Sequence, residues 1–367
     1  MKRTTTAVWN EKRNHWRIQV QKDGIRKSFY SSKKGRTGQR EANAKADAWL
    51  DDNIINIKVK VKDTTLSYIE QLKETSSKSH YTQYAYYVNN WINPKIGNLH
   101  IDALTEQHLQ SVINAAYSKG LAKKTLQNIR GCMSAWLKFC RMNKYTNIYP
   151  ENISIPNGAY SKDKQILSPN DVKNVFLCDK IILRNKEVFD FYVYAYRFEI
   201  LTGLRPGELI GLQWSDINDN IVTLKRAINT HGEITRGKND NARRSFSLTE
   251  YSRNVLIQQK ELLNKMNIQS EYVFPNSYGS ALREGYYYKR WKRFCRCNNI
   301  PDITAYEMRH TFVSITKSLP EGYIKQLVGH SKDMDTYGIY SHEIESDKEN
   351  AAKMIQDIFN DIIGDSD

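Results

Sequence analysis

Thr202-Gly203-Leu204-Arg205-Pro206-Gly207-Glu208-Leu209 closes an apolar run and opens a new helix. Proline favours the first helical position, so Pro206 leaves Arg205 at the helix mouth, where backbone N–H groups face outward. Glu208, three residues on, is placed to orient the Arg205 guanidinium. Further along, Thr304-Ala305-Tyr306-Glu307 is a capping box that starts a second helix near Thr304. Tyr306 and Arg309 then stand three apart on one face, while His310, one position past Arg309, should point elsewhere. Two planar guanidinium forks can hold both non-bridging oxygens of one phosphodiester and stabilise the extra charge of a pentacoordinate state. Taken singly, each arginine reads as a surface salt bridge. Together they read as a phosphate clamp.

A clamp needs a nucleophile and a proton donor. Gly329-His330-Ser331 is followed, ten residues after the histidine, by Tyr340-Ser341-His342. A free phenol has a pKa near 10, so attack at neutral pH requires cationic neighbours and a proton acceptor. The chain holds 23 tyrosines, so a tyrosine near a histidine is unremarkable in itself, and Tyr337 is a competitor. The interval from His330 and the Ser341-His342 that follows favour Tyr340. His330 would hydrogen-bond a phosphate oxygen or assist proton transfer. Lys238 lies in a polar turn, Gly237 to Phe246, between two strand-like segments. From its tip a lysine can reach and protonate a leaving 5′ oxygen. By themselves these would be a core or helix-capping histidine and a flexible loop lysine.

Charge says what the phosphate belongs to. Formal net charge is +15, and residues 1–50 hold 13 Lys/Arg against 4 Asp/Glu, whereas residues 343–367 hold 2 against 8. A basic front end is the electrostatic footprint of a polyanion partner. The acidic tail suits protein contact. No apolar stretch approaches the roughly 18 residues of a membrane span, and no apolar segment follows the basic N-terminus. The five cysteines match neither a disulfide framework nor a zinc site, which indicates reduced thiols and a cytoplasmic protein.

Three domains are expected in a mainly α fold with small β elements (α+β). In residues 1–55 a three-stranded sheet is read from Ala7-Val8-Trp9, from Trp16/Ile18/Val20 alternating with Arg17 and Gln19, and from Arg26 to Tyr30. Asp23-Gly24 makes its hairpin turn, and a helix from about Arg40 to Leu50 covers one face. The other face can meet phosphates and base edges. Residues 51–63 read as a linker. A helical domain spans 62–150, with Leu66, Ile69 and Leu72 on one face, a helix stopped at Asn93-Pro94, another capped by Thr105, and a stripe from Leu126 to Cys140. Residues 150–166 read as a second linker. The last domain, 165–367, opens on the Ser168-Pro169 helix start and is helical apart from a strand-rich patch between Ile221 and Leu248.

With these motifs in their order and spacing, the chain resembles the tyrosine recombinases, most closely the integrases of temperate phages and integrative conjugative elements. The resemblance extends over the whole chain. It implies an arm-type DNA-binding domain, a helical core-binding (SAM-like) domain and a mixed α/β catalytic domain. It also implies strand cleavage through a 3′-phosphotyrosine link, Holliday junction resolution in a homo-tetramer on double-stranded DNA at core and arm sites, and accessory partners such as an excisionase or a DNA-bending host factor. No cofactor, metal or nucleotide is needed, because the covalent link conserves the bond energy. The site set is Arg205, Lys238, Tyr306, Arg309, His330 and Tyr340.

One position departs from the family pattern: Tyr306 stands where most members carry histidine. Either Tyr306 only stabilises charge while another group takes the proton, or turnover is slow. A catalytically weak or inactive DNA-binding protein of the same fold is the alternative reading. The tail stripe Met354, Ile355, Ile358, Phe359, Ile362 and Ile363 is open to two readings, packing on its own domain or docking on a neighbouring subunit.

Overall fold

Alternation of apolar and polar side chains shapes the first segment. In the computed structural model, which describes residues 5–22, 24–51, 59–161, 163–235, 243–329 and 345–364, β1 (Val8–Asn10), β2 (His15–Lys22) and β3 (Ile25–Ser31) form an antiparallel sheet in that order. Ile18 and Val20 face helix α1 (Gly35–Asp51) and are buried with Ala42, Ala46 and Leu50, while Arg17 and Gln19 stay exposed on the other face. Gly24 has a positive φ of 81°, as the hairpin requires; Asp23 lies outside the described residues. The helix starts five residues before the expected Arg40. Its first turn lies so close to β2 that a Cβ at Gly38 would meet the Lys33 carbonyl oxygen at 1.7 Å and Trp16 Cδ1 at 2.7 Å, an approach only glycine permits.

A second apolar core begins at Val61. It is built from α2 (Val61–Thr75), α3 (Lys78–Tyr87), α4 (Asn93–Ile96), α5 (Glu106–Ser118) and α6 (Lys123–Met142). The Leu126-to-Cys140 stripe of α6 is buried throughout, and Thr105 caps α5. Two details differ from expectation. Leu66 points to solvent, and Thr64 and Thr65 turn inward instead. Their hydroxyls have partners on other helices: Trp136 Nε1 donates to Thr64 Oγ1 at 3.1 Å, and Thr65 Oγ1 donates to Asn93 Oδ1 at 3.0 Å. Nor does Pro94 stop the helix. The chain widens into a π turn over Val88–Ile92, and Pro94 enters the first turn of α4, where its missing N–H costs nothing. The segment read as a linker after residue 150 is partly a strap on this core. Ile153 and Ala159 are buried, Asn152 Nδ2 donates to Glu106 Oε2 at 2.8 Å and the Ser154 N–H to Gln110 Oε1 at 2.9 Å. The chain divides into two compact units at the next boundary, Met1–Lys162 and Asp163–Asp367.

The second unit encloses the largest core. Ser168 caps α7 (Pro169–Leu177), and a hairpin of β4 (Lys180–Leu183) and β5 (Lys186–Phe189) follows. That hairpin was not expected, because its turn residues Arg184 and Asn185 take positive φ without a glycine to announce it. Helix α8 (Val193–Thr202) is buried almost all round and ends at Gly203, φ +61°; a Cβ there would also lie 2.3 Å from the Phe312 ring. After α9 (Pro206–Ile210) come β6 (Ile217–Asn218), β7 (Ile221–Thr223), β8 (Ala227–Ile228), β9 (Ile234–Thr235) and β10 (Ser245–Ser247). The strands pair in the orders β10-β7-β6 and β8-β9. Helices α10 (Glu250–Lys265), α11 (Glu284–Cys297), α12 (Ala305–Ile315), α13 (Glu321–Val328) and α14 (Glu345–Ile363) complete the unit. Among the described residues no helix is long and apolar enough to cross a membrane.

The tail packs on its own chain. Ile355 and Phe359 of α14 sit in the core of the unit, against α7 and β10, and Gln356 Oε1 accepts from the Glu250 N–H at 2.9 Å. Phe359→Ala should therefore cost about 3–5 kcal/mol. Hydrogen exchange should speed up in α14, α7 and β10 together; an increase confined to α14 would mean that the helix is not part of the core.

Candidate active site

Arg205 is the N-cap of α9, as Pro206 requires. Its N–H donates to Glu208 Oε2 at 3.0 Å and its Nη1 to Glu208 Oε1 at 2.7 Å. A Cβ on Gly207 would meet the Ile228 carbonyl oxygen at 2.6 Å, so glycine lets α9 sit directly on β8. Glu208 is buried, and a second arginine holds it: Arg244 donates from Nη1 to Oε1 at 3.0 Å and from Nη2 to Oε2 at 2.9 Å. One carboxylate thus lies between two guanidinium groups.

Arg309 comes from α12, whose start is fixed by the expected capping box: the Glu307 N–H donates to Thr304 Oγ1 and the Thr304 N–H to Glu307 Oε2. Its side chain is only 2% exposed. Nη1 donates to the Gly203 carbonyl at 3.0 Å and Nη2 to the Val328 carbonyl. The neighbouring carbonyls are taken as well. Arg244 Nε donates to the Leu327 carbonyl at 2.6 Å and Arg205 Nη2 to the Gly329 carbonyl at 3.1 Å. Three arginines therefore meet three successive carbonyls at the C-terminal end of α13, the negative end of its dipole.

Such crowding shifts ionisation. Burial, then the charges of Arg205 and Arg244, push Arg309 down to about 10, which leaves it protonated at neutral pH. Burial pushes the Glu208 carboxyl up, but the hydrogen bonds and charge of Arg244, followed by Arg205, outweigh it and hold the group below its ordinary value. Three cations and one carboxylate make a fixed cluster with an excess of positive charge, the kind of arrangement that suits an anion.

Of the residues expected from sequence, Arg205 and Arg309 come together here. Tyr306 lies at the edge, 48% exposed, turned outward from the buried Arg309. His310, one helical turn beyond Tyr306, meets its phenol edge-on, with ring centroids 5.3 Å apart. Lys238, His330 and Tyr340 lie outside the described residues, as does Tyr337. Arg244 was not among the expected site residues. Its signal was alternation: Arg244, just before β10, is in step with Phe246 and Leu248, all three are buried, and a buried arginine needs a carboxylate.

Glu208→Gln tests this electrostatic core. Because the folded carboxyl lies below the ordinary 4.5, its ionised form adds stability at neutral pH that is lost as pH falls through the folded value. The urea midpoint of the variant should be lower than that of the wild type at neutral pH. The gap should narrow as pH drops below 4.5, and a pH-independent gap would refute the assignment.

The profile of the Phage integrase family matches residues 183–346, and that of the Phage integrase N-terminal SAM-like domain matches residues 60–117. The Tyrosine recombinase XerC-like protein of Caldanaerobacter subterraneus subsp. tengcongensis is 23% identical over 91% of this chain and 92% of its own length. The ICEBs1 integrase of Bacillus subtilis is 23% identical over 79% of this chain and 81% of its own. In fold, the chain is similar to the Tn1549 transposon integrase solved with circular intermediate DNA, at a TM-score of 0.63 and 16% identity, covering 80% of this chain and 99% of that one. It is also similar to the lambda integrase solved as a tetramer on a Holliday junction, at a TM-score of 0.59 and 14% identity, covering 94% and 100%. With the SAM-like profile preceding in sequence an integrase profile that contains Arg205, Arg244 and Arg309, this chain belongs to the phage integrase family of tyrosine recombinases.

Proposed function

We propose that this site-specific DNA recombinase integrates and excises a mobile element by cutting one strand at a time with Tyr340. The phenolate oxygen attacks the backbone phosphorus, a P–O(tyrosine) bond forms, and the P–O5′ bond breaks. Lys238 gives its proton to the departing 5′ oxygen, and the phenol's own proton passes to an acceptor or to solvent. Reversal by a new 5′ hydroxyl rejoins the strand. Arg205 and Arg309 hold the non-bridging oxygens as charge builds on them, with His330 assisting. Tyr306 donates a hydrogen bond to the phosphate in place of the usual histidine, a role for which a phenol is suited and which needs no base.

The observation that carries this reading is the arginine cluster. Arg309 is held by neutral carbonyls alone among its hydrogen-bond acceptors here, Gly203 and Val328, which a phosphodiester's charge outcompetes. The basic face of the N-terminal sheet supports a second DNA contact, at arm sites, and the helical segment one at core sites. We carry the three-domain division, 1–55, 62–150 and 165–367, as part of this proposal; three separate apolar cores support it. The working form is a tetramer on double-stranded DNA in the cytoplasm, through a Holliday junction, with an excisionase or a DNA-bending host factor setting direction.

A suicide DNA substrate gives the test. Wild type should form a covalent protein–DNA adduct that Tyr340→Phe abolishes and Tyr337→Phe retains. An adduct persisting in Tyr340→Phe would place the nucleophile elsewhere, and none in wild type would favour a DNA-binding protein without cleavage. Separately, Arg205→Ala and Arg309→Lys should keep DNA binding in a gel-shift assay while cleavage falls by about 100-fold or more. Equal loss of binding would make these residues structural.

A further inference from the structure

Arg244 has no assigned part in the chemistry, yet it is the residue on which the geometry of Arg205 rests. Glu208 Oε1 accepts from Arg205 Nη1 at 2.7 Å and Arg244 Nη1 at 3.0 Å; Oε2 accepts from the Arg205 N–H at 3.0 Å and Arg244 Nη2 at 2.9 Å. Together these four contacts hold the carboxylate plane, and that plane sets the direction of the Arg205 fork. A further Arg244 donor, Nε, reaches the Leu327 carbonyl at 2.6 Å, two residues before the Gly329 carbonyl that Arg205 itself touches. Arg244 thus joins α9, through Glu208, to the end of α13.

We propose that Arg244 is a positioning residue for strand cleavage, aligning Arg205 through Glu208 and the end of α13 through Leu327 without itself meeting DNA. One observation separates it from each arginine of the clamp. Its guanidinium is committed to a carboxylate, an ion pair that a phosphate would have to break, whereas Arg309 binds neutral carbonyls. Its side chain is 5% exposed, against 18% for Arg205, so Arg205 is the member of the carboxylate pair that opens outward. Lysine cannot replace it, because a single ammonium on a flexible stem cannot address both oxygens of Glu208 and the Leu327 carbonyl in one plane. This proposal rests on the reading of Arg205 as a phosphate ligand.

The test is a double-mutant cycle on single-turnover cleavage of a suicide substrate by the full chain, with circular dichroism to confirm folding. Arg244→Lys should slow cleavage at saturating DNA by about tenfold or more while the half-saturating DNA concentration changes by no more than about twofold. In an Arg205→Lys background, where the aligned fork is already gone, the same substitution should cost less than about twofold further. Equal factors in both backgrounds would reduce Arg244 to a structural role, and a large change in half-saturation would make it a DNA contact; either overturns the proposal. Full cleavage by Arg205→Lys alone would instead overturn the reading of Arg205, and this proposal with it. Should Arg244→Lys not fold, Arg244→Gln, whose amide still donates to Glu208, enters the same cycle with the same outcomes.

Discussion

One buried carboxylate holds the candidate active site together. Glu208 lies between Arg205 and Arg244, and without it two guanidinium groups would stand in a low-dielectric interior beside a third, Arg309. Charges of one sign in such a place repel strongly and lose their hydration. The carboxylate offsets both costs for two of them. Arg309, which lacks such a partner among its hydrogen bonds here, shows the remaining strain as a lowered pKa. A site in this condition favours an incoming anion, because a bound phosphate relieves repulsion that the fold has already accepted.

The backbone around that carboxylate is arranged for close approach. Gly203 ends α8 in the left-handed region, presses on Phe312 and offers its carbonyl to Arg309. Gly207 brings the start of α9 onto β8. Two glycines on either side of Arg205 therefore let two helix ends and a strand converge, which side chains would keep apart. At the far side, the end of α13 supplies three carbonyls in succession, Leu327, Val328 and Gly329, one to each arginine. On the proposed reading, the Arg205 and Arg309 edges that hold Gly329 and Val328 are those a phosphodiester would take, so the protein's own helix end and the substrate would compete for those donors.

Local patterns were read well where a residue's role follows from its immediate neighbours. Thr304 with Glu307, Ser168 with Asp171, Pro206 after Arg205 and the buried stripe of α6 all depend on hydrogen bonds or spacing within one or two helical turns. Reading failed where a distant partner decided. Leu66 is exposed because Thr64 and Thr65 find Trp136 and Asn93, which come from two other helices. Pro94 continues a helix because a π turn precedes it.

From sequence alone came the arginine pair with its helix starts, the basic front segment, the order of the sheet, helical and mixed regions, and the family to which the chain belongs. These are properties of spacing, capping and charge, which act over a few residues or sum over many. Tertiary structure alone decided that Arg244 joins the cluster, that the end of α13 caps it, and that α14 packs on its own chain. Each of these depends on groups far apart in sequence meeting in a place where water is excluded. Only there does an unpaired charge or an unmet carbonyl cost enough to dictate its partner.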